Sequence, residues 1–246
     1  MSSLLRGRYQ VREAGGGRDL AAAQALRWRA FRPGEGPGRD ADAFDDRCRH
    51  FLVEDRTAGG RLAGCWRLLP FASGSSIAQS YAAQFYDLGA LSRYPGPMVE
   101  IGRFCTDPDL RDPDILRAAW GAVTAHVDAN GIGLLFGCSS FAGTDPAPHL
   151  DAFARLNGRH LAPRRWMPRA KAPALIRFAG LPPGSPDPAR AIRTLPPLLR
   201  TYLAMGGWVS DHAVIDSELG TLHVFTGVET AKVPPGRARI LRALAS

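Results

Sequence analysis

The sequence predicts a mixed α/β protein built on a mixed sheet. Three observations carry this. Hairpin-like strand pairs alternate with single helices, in the order β-α-β-β-(α)-β-α-β-α-…-α-β-β. Residues 50–70 hold two β-rich runs, "HFLVED" and "RLAGCWRLLP", with the turn-like "RTAGG" between them. Residues 98–131 hold a strand, a turn and a helix whose two ends are both signalled.

In chain order, Arg8–Glu13 alternates as a first strand, and Arg18 to Phe31 has helical period with Leu20, Ala23, Leu26, Ala30 and Phe31 as its apolar stripe. "RPGEGPGRDADAFDD" breaks that helix and forms a Gly/Pro-rich acidic loop. The hairpin follows. Residues 77–92 read as mixed, with a helical turn near Tyr81 to Phe85. Val99 to Cys105 is a strand. In the next helix Asp112 is the cap, Pro113 is the first helical residue, and Leu116, Trp120, Val123 and Val127 share one face. Asn130-Gly131 ends it. "GLLFGCSSF" reads as a buried strand and His149 to Gly158 as a helix. Residues 159–194, rich in Arg and Pro, read as a long excursion. "LPPLLRTYLAMGG" is a short helix, and "AVID" and "TLHVF" are late strands. No internal repeat or domain boundary is visible, so 1–246 is expected to be one domain.

Composition narrows the function classes. The chain has 246 residues, 45% hydrophobic and 22% charged, an ordinary globular balance with enough length to bury a core. No apolar run approaches the roughly 18–20 residues of a membrane span. "MSSLLRGRYQ" lacks a signal-peptide core, so a cytoplasmic protein is expected. Cys48, Cys65, Cys105 and Cys138 fit no metal or redox spacing and read as small apolar residues; no metal is expected. The net charge of +8 rests almost wholly on arginine. It suits an acidic partner or an anionic surface. No nucleic-acid-binding motif accompanies it, and nucleic acid is not an expected partner. His50 and Asp55 have the His-x4-Asp spacing of glycerolipid O-acyltransferases, but they fall within one predicted strand and read as coincidence. Ser139 and Ser140 lack a nucleophile elbow.

"MVEIGRFCTDPDLR" raises the chemical question. A core strand carries Glu100 and Arg103, with Gly102 between them. Glycine inside a strand marks a bulge or a close backbone approach. A bulge would leave backbone N–H groups available to polarise a carbonyl. The helix start at Asp112–Asp114 offers further N–H groups to an anion, helped by Arg111 and Arg117 and opposed by the aspartates themselves. A structural Glu–Arg pair beside a capped helix is the competing reading.

Taken together, "LRWRAF", "DAFDDRCRHFLVED", "GCWRLLP", "EIGRFCTDPDLR", "LFGCSSFAGTDP" and "LPPLLRTYLAMGGWVSDHAVID" occur in an order that resembles the bacterial L-ornithine Nα-acyltransferases. These belong to the GNAT superfamily and are similar in fold to acyl-homoserine-lactone synthases. The resemblance implies a three-layer α-β-α GNAT-like fold with a bulged, splayed central strand. It implies transfer of a (3-hydroxy)fatty acyl group from acyl carrier protein to the α-amine of ornithine, with no bound cofactor; the acyl-phosphopantetheine arm is part of the donor. Glu100 would be the base and Arg103 would orient it or bind the substrate carboxylate. Asp42, Asp45, Arg27 and Arg67 match substrate-contacting positions. The backbone at Phe104 and Cys105 would meet the thioester carbonyl, and Arg111 the arm's phosphate. The basic segment 159–171 is a candidate surface for the acidic carrier or for a peripheral contact with anionic membrane. The superfamily's coenzyme-A signature is absent after Thr106, and "SELGTLHVF" departs from the family pattern. A lactone-type signal synthase and a non-catalytic carrier-binding module are the rival expectations.

Overall fold

The computed structural model describes residues 4–181 and 187–245. The first three residues of the N-terminal stretch and residues 182–186 of the excursion lie outside the described residues. The elements are β1 (Leu4–Arg6), β2 (Tyr9–Glu13), α1 (Gly17–Phe31), β3 (Arg49–Asp55), β4 (Arg61–Phe71), β5 (Tyr86–Asp87), β6 (Met98–Thr106), α2 (Pro113–Ala129), β7 (Leu134–Ala142), α3 (Leu150–Arg159), β8 (Arg169–Ala170), β9 (Leu175–Arg177), α4 (Pro188–Thr194), α5 (Pro197–Ala204), β10 (Trp208–Val209), β11 (His212–Asp216), β12 (Thr221–Glu229) and α6 (Pro235–Ala245). The chain divides into two compact units. The first comprises residues 1–70, 101–131 and 235–246, and the second residues 71–100 and 132–234.

In the first unit β1, β2, β3 and β4 pair antiparallel in sequence order, and the C-terminal part of β6 lies beside β4. Alternation along the strands sends successive residues to opposite faces. Leu52, Cys65 and Cys105 pack under Ala23 and Leu26 of α1. On the other face Phe51 stacks on Trp66 (5.2 Å) and Trp66 on Phe104 (5.6 Å), and Phe51 meets the edge of His126 in α2. This unit is therefore three layers by itself. As expected, Asp112 caps α2, accepting the Asp114 N–H at 2.9 Å, and Pro113 opens it. The helix closes at Asn130, followed by Gly131 at φ +58°. Its buried face is turned from the stripe the sequence suggested, and Leu116 and Val127 are only half-buried. Ile115, Ala118, Ala119, Ala122 and His126 are buried with Trp120 and Val123, because α2 packs on the strands and on α6.

In the second unit Met98–Glu100 of β6 pair parallel with β7, and β7 pairs antiparallel with β12 over nine residues. β12 also pairs with β10 and β11, and β11 with β9. One parallel pair among antiparallel ones makes the sheet mixed, as the element order predicted. Phe141, Phe153, Leu156, Phe178, Leu199 and Val224 form the core under α3 and α5. The residues read as an excursion are partly structural. β9 is a sheet strand and α4 packs on α3, since Leu175 and Ile176 extend the β11 edge and Ala191 is buried. The sequence hid this because a three-residue strand between proline-rich turns has too little periodicity to register.

Phe153 is fully buried between Phe141 (5.0 Å) and Phe178 (5.1 Å). Phe153→Ala should lose about 3–5 kcal/mol of stability in urea unfolding. A loss below about 1 kcal/mol would mean that this core is not the one described.

Candidate active site

Glu100 sits on β6 with only 4% of its surface exposed. Its register partner is Phe136, so both point to the same face of the second unit. There its carboxylate accepts the N–H of Tyr81 (2.8 Å) and of Ala82 (2.7 Å). These N–H groups open the single helical turn Ala82–Gln84, where backbone donors have no partner of their own. The turn expected near Tyr81 thus anchors the candidate base. The two N–H bonds engage both carboxylate oxygens.

The same face carries Tyr86 and His223. The Tyr86 phenol donates to the His223 carbonyl (2.8 Å) and lies 3.1 Å from its Nδ1. One hydroxyl proton serves the carbonyl, so Nδ1 is left as the donor to the phenol oxygen. Burial pushes the His223 imidazole down to about 4 and the Tyr86 phenol well above its usual range. Both are neutral at pH 7. Sequence reading gave neither a role.

The first unit holds the other expected residues. Arg103 is the one non-glycine at positive φ among the described residues, at +51°. It directly follows Gly102, where the sequence suggested a bulge or a close backbone approach. Left-handed backbone costs an ordinary residue about 1–2 kcal/mol. Ion pairing holds it in place: Arg103 Nε donates to Asp40 (2.9 Å) and Nη2 to Asp42 (3.2 Å). Arg67, from β4, bonds both oxygens of Asp42 (2.6 and 2.8 Å) and one of Asp45 (2.6 Å). Arg27, from α1, is 1% exposed. It bonds both oxygens of Asp45 at 2.8 Å, pairs with Asp40 and also donates to the Asp40 carbonyl. Gln24 adds a bond to Asp45 (2.9 Å). Three guanidiniums and three carboxylates thus neutralise one another in a connected network. Burial alone would raise Asp45, but hydrogen bonds from Arg27, Gln24 and Arg67 hold it far below the usual carboxylate range. Asp42 is likewise lowered against its burial, first by Arg67. Burial works against the charge of Arg67, and Asp42 more than offsets it, so its pKa rises.

The acidic loop is built to reach this place. The Trp28 indole donates to the Gly36 carbonyl (2.8 Å), and the Asp40 N–H bonds the Gln24 carbonyl (3.1 Å). A Cβ at Gly38 would overlap the Trp28 ring, so only glycine lets the loop fold onto the helix. Asp40 is the member that sequence reading missed. The signal was in "RDADAFDD": three arginines on separate elements needed a third carboxylate nearby. His50 and Asp55 also find structural partners. His50 bonds the Asp45 carbonyl (2.9 Å), while Asp55 caps residues 56–58 and pairs with Arg8.

The remaining expected residues are spread along the first unit. The Phe104 ring belongs to the Trp66 stack. The Cys105 thiol lies 3.6 Å from that of Cys65, and their hydrogen bond together with burial pushes it well up. Arg111 is exposed beside the start of α2. The N–H of Asp114 at that start is already taken by Asp112, which also accepts from Tyr9 (2.9 Å). Among the described residues no three His, Cys, Asp or Glu side chains are grouped to hold a metal ion.

The acetyltransferase (GNAT) domain model matches residues 26–121. An L-ornithine N(alpha)-acyltransferase of Rhizobium meliloti is 32% identical over 91% of this chain and 81% of its own length. That of Rhodobacter capsulatus is 32% identical over 90% of each. The chain belongs to the L-ornithine N(α)-acyltransferase family. An acyl-homoserine-lactone synthase of Agrobacterium fabrum matches a shorter stretch, at 38% identity over 30% of this chain and 33% of its own. Among solved structures, FeeM, an N-acyl amino acid synthase from uncultured soil microbes, superposes with a TM-score of 0.52 at 11% identity, covering 91% of this chain and 93% of that one. This likeness concerns the fold alone. The GNAT match begins on α1 at Leu26 and ends within α2, so it takes in Glu100 and the whole charge network.

Truncating Asp45 leaves two buried guanidiniums short of a partner. Asp45→Ala should cost about 3–5 kcal/mol in urea unfolding at pH 7. The depressed pKa of Asp45 means that its stabilisation is complete above its unfolded value near 3.9 and fades as the pH drops toward the folded value. The variant should therefore lose less further stability between pH 5 and pH 3 than the parent does. Equal acid slopes in the two proteins would refute this assignment.

Proposed function

We propose that this protein is an N-acyltransferase that moves a (3-hydroxy)fatty acyl group from acyl carrier protein to the α-amine of L-ornithine, giving lyso-ornithine lipid. The observation that carries the reading is 32% identity over nine-tenths of the chain to relatives named for ornithine acylation. The reaction is aminolysis of a thioester. The amine nitrogen forms a bond to the acyl carbon, the carbon–sulfur bond breaks, and the carrier's phosphopantetheine thiol leaves with a proton. No covalent enzyme intermediate and no resident cofactor is required.

The roles follow from the chemistry each group can do. Glu100 takes the ammonium proton, directly or through water, from a carboxylate fixed by two backbone N–H groups. Asp42 is the most exposed carboxylate of the charge network, with 23% of its side chain accessible, and is the group to receive an ornithine ammonium. Asp45, Arg27 and Arg67 act as positioning residues that hold Asp42. Arg103, which is paired with Asp40 and Asp42, orients the site or meets the substrate carboxylate with its planar guanidinium. The backbone N–H groups at Phe104 and Cys105 serve the oxyanion, and exposed Arg111 the phosphate of the donor arm. No described helix is long and apolar enough to cross a membrane. The reading places the protein in the cytoplasm, with peripheral contact at the inner membrane where its product is needed.

The test is a transfer assay with 3-hydroxyacyl-acyl carrier protein and a panel of ornithine, lysine, glutamine and, as a source of the homoserine skeleton, S-adenosylmethionine, following thiol release and product mass. Acylated ornithine is the expected product. An acyl-homoserine lactone would instead support the reading suggested by the lactone-synthase match. Donor binding without turnover would make the protein a carrier-binding module. Glu100→Gln should cut kcat by roughly 10²–10⁴ and lose only about 1–3 kcal/mol of stability, because its amide nitrogen faces one of the two backbone N–H donors. An unchanged kcat would remove Glu100 as the base.

A further inference from the structure

The second unit contains a cleft of about 510 Å³ between two separate segments, Asp87–Arg93 and Arg164–Arg169. Arg93, Arg164, Arg165 and Arg169 line it, with Asp87 as the single carboxylate and Met167 as an apolar wall. The segments are clamped together. β5 pairs with β8, setting Asp87 opposite Arg169. Tyr94 packs on Trp166 at 5.4 Å. The Trp166 indole donates to Glu229 (3.2 Å), and Lys171 donates to the Ala83 carbonyl (2.6 Å). Arg165 leans on the Trp166 ring and reaches Glu229 at 3.3 Å. Arg93, Arg164 and Arg169 make no salt bridge among the described residues, and all three are exposed. Like charges gathered around one concavity repel, and a ligand carrying negative charge relieves that repulsion. Guanidinium favours phosphate oxygens, which it can bond in pairs.

We propose that this cleft binds the phosphodiester headgroup of an anionic phospholipid, and that it docks the protein on a bilayer surface. Size favours a headgroup over a protein element. One turn of α-helix with its side chains fills roughly 400–600 Å³, so the cleft has room for a headgroup but not for a helix of useful length. The neighbouring residues agree. Half-buried Trp166 and Met167 stand among the arginines, and aromatic side chains beside arginine suit the level of lipid headgroups. Under the function proposed above, the product is a single-chain lipid that must enter a membrane. The binding itself does not depend on turnover, so it is tested without it.

The experiment is co-sedimentation of the full chain with vesicles of phosphatidylcholine alone and with phosphatidylglycerol added, at low and at raised salt. The parent should bind the anionic vesicles and lose binding as salt rises. Arg93→Gln/Arg164→Gln/Arg169→Gln should weaken that partition by about 100-fold, at about fivefold for each charge. A control variant, Arg18→Gln/Arg56→Gln/Arg239→Gln, removes the same charge from exposed sites of the first unit and should bind within about twofold of the parent. Both variants should melt with the parent, because exposed arginines are exchanged for a neutral side chain of similar character. Equal weakening in the two variants would reduce the effect to net charge and overturn the proposal. So would a parent that ignores anionic vesicles. So would a cleft variant that keeps its vesicle binding and loses acyl carrier protein instead, which would assign the cleft to a protein partner. Failure of the transfer assay leaves these outcomes readable.

Discussion

The charge network of Arg27, Arg67 and Arg103 with Asp40, Asp42 and Asp45 is the constraint around which the first unit is arranged. It ties α1, the acidic loop, β4 and β6 to one another. Removing six ionised groups from water is costly, and mutual attraction repays that cost only when every group finds well-placed partners. That requirement accounts for several local features. Gly38 lets the loop close on Trp28. Gln24 supplies one more donor to Asp45. Arg103 accepts a left-handed backbone so that its side chain can reach two carboxylates. Such a connected network is rigid, and rigidity suits the proposed role of Asp42 in holding a carboxylate for an ornithine ammonium.

Glu100 is positioned by a different device. Its carboxylate meets backbone N–H groups, which every residue but proline supplies, while the charge network is made mainly by side chains. Both devices draw on β6, where Glu100 and Arg103 lie three residues apart in the chain. Each charge has anchors of its own, Glu100 on two backbone N–H groups and Arg103 on Asp40 and Asp42. Arg103 combines a positive φ with side-chain bonds to the acidic loop.

Buried aromatic and imidazole groups do the equivalent work in the second unit. Tyr86 bridges to His223, and Phe136, Phe225 and Trp208 stack in sequence at 5.8 and 5.9 Å. A Cβ on Gly227 would enter the Trp208 ring, so the glycine in mid-strand is a packing requirement. With His223 held neutral to about pH 4, this face carries no charge from that imidazole at pH 7.

Much of this was legible in the amino-acid sequence. The hairpin of β3 and β4, the capped start and glycine end of α2, the turn near Tyr81 and the alternation of strands with helices all rest on local signals: side-chain period, capping groups and turn residues. The likeness to a family was legible as well, because short motifs in a fixed order survive at 32% identity. What local signals could not decide is which charges meet. Arg27 has the same local pattern as an exposed helix arginine, yet it is among the most buried side chains. Asp40 looks like any loop aspartate until Arg27 and Arg103 reach it from elements distant in sequence. The same holds for Tyr86 with His223, 137 residues apart, and for the two arginine-bearing segments of the cleft. Period and composition are properties of neighbours along the chain. Ion pairing, burial and the pKa shifts that follow from them are properties of neighbours in space, and only the tertiary structure chooses those.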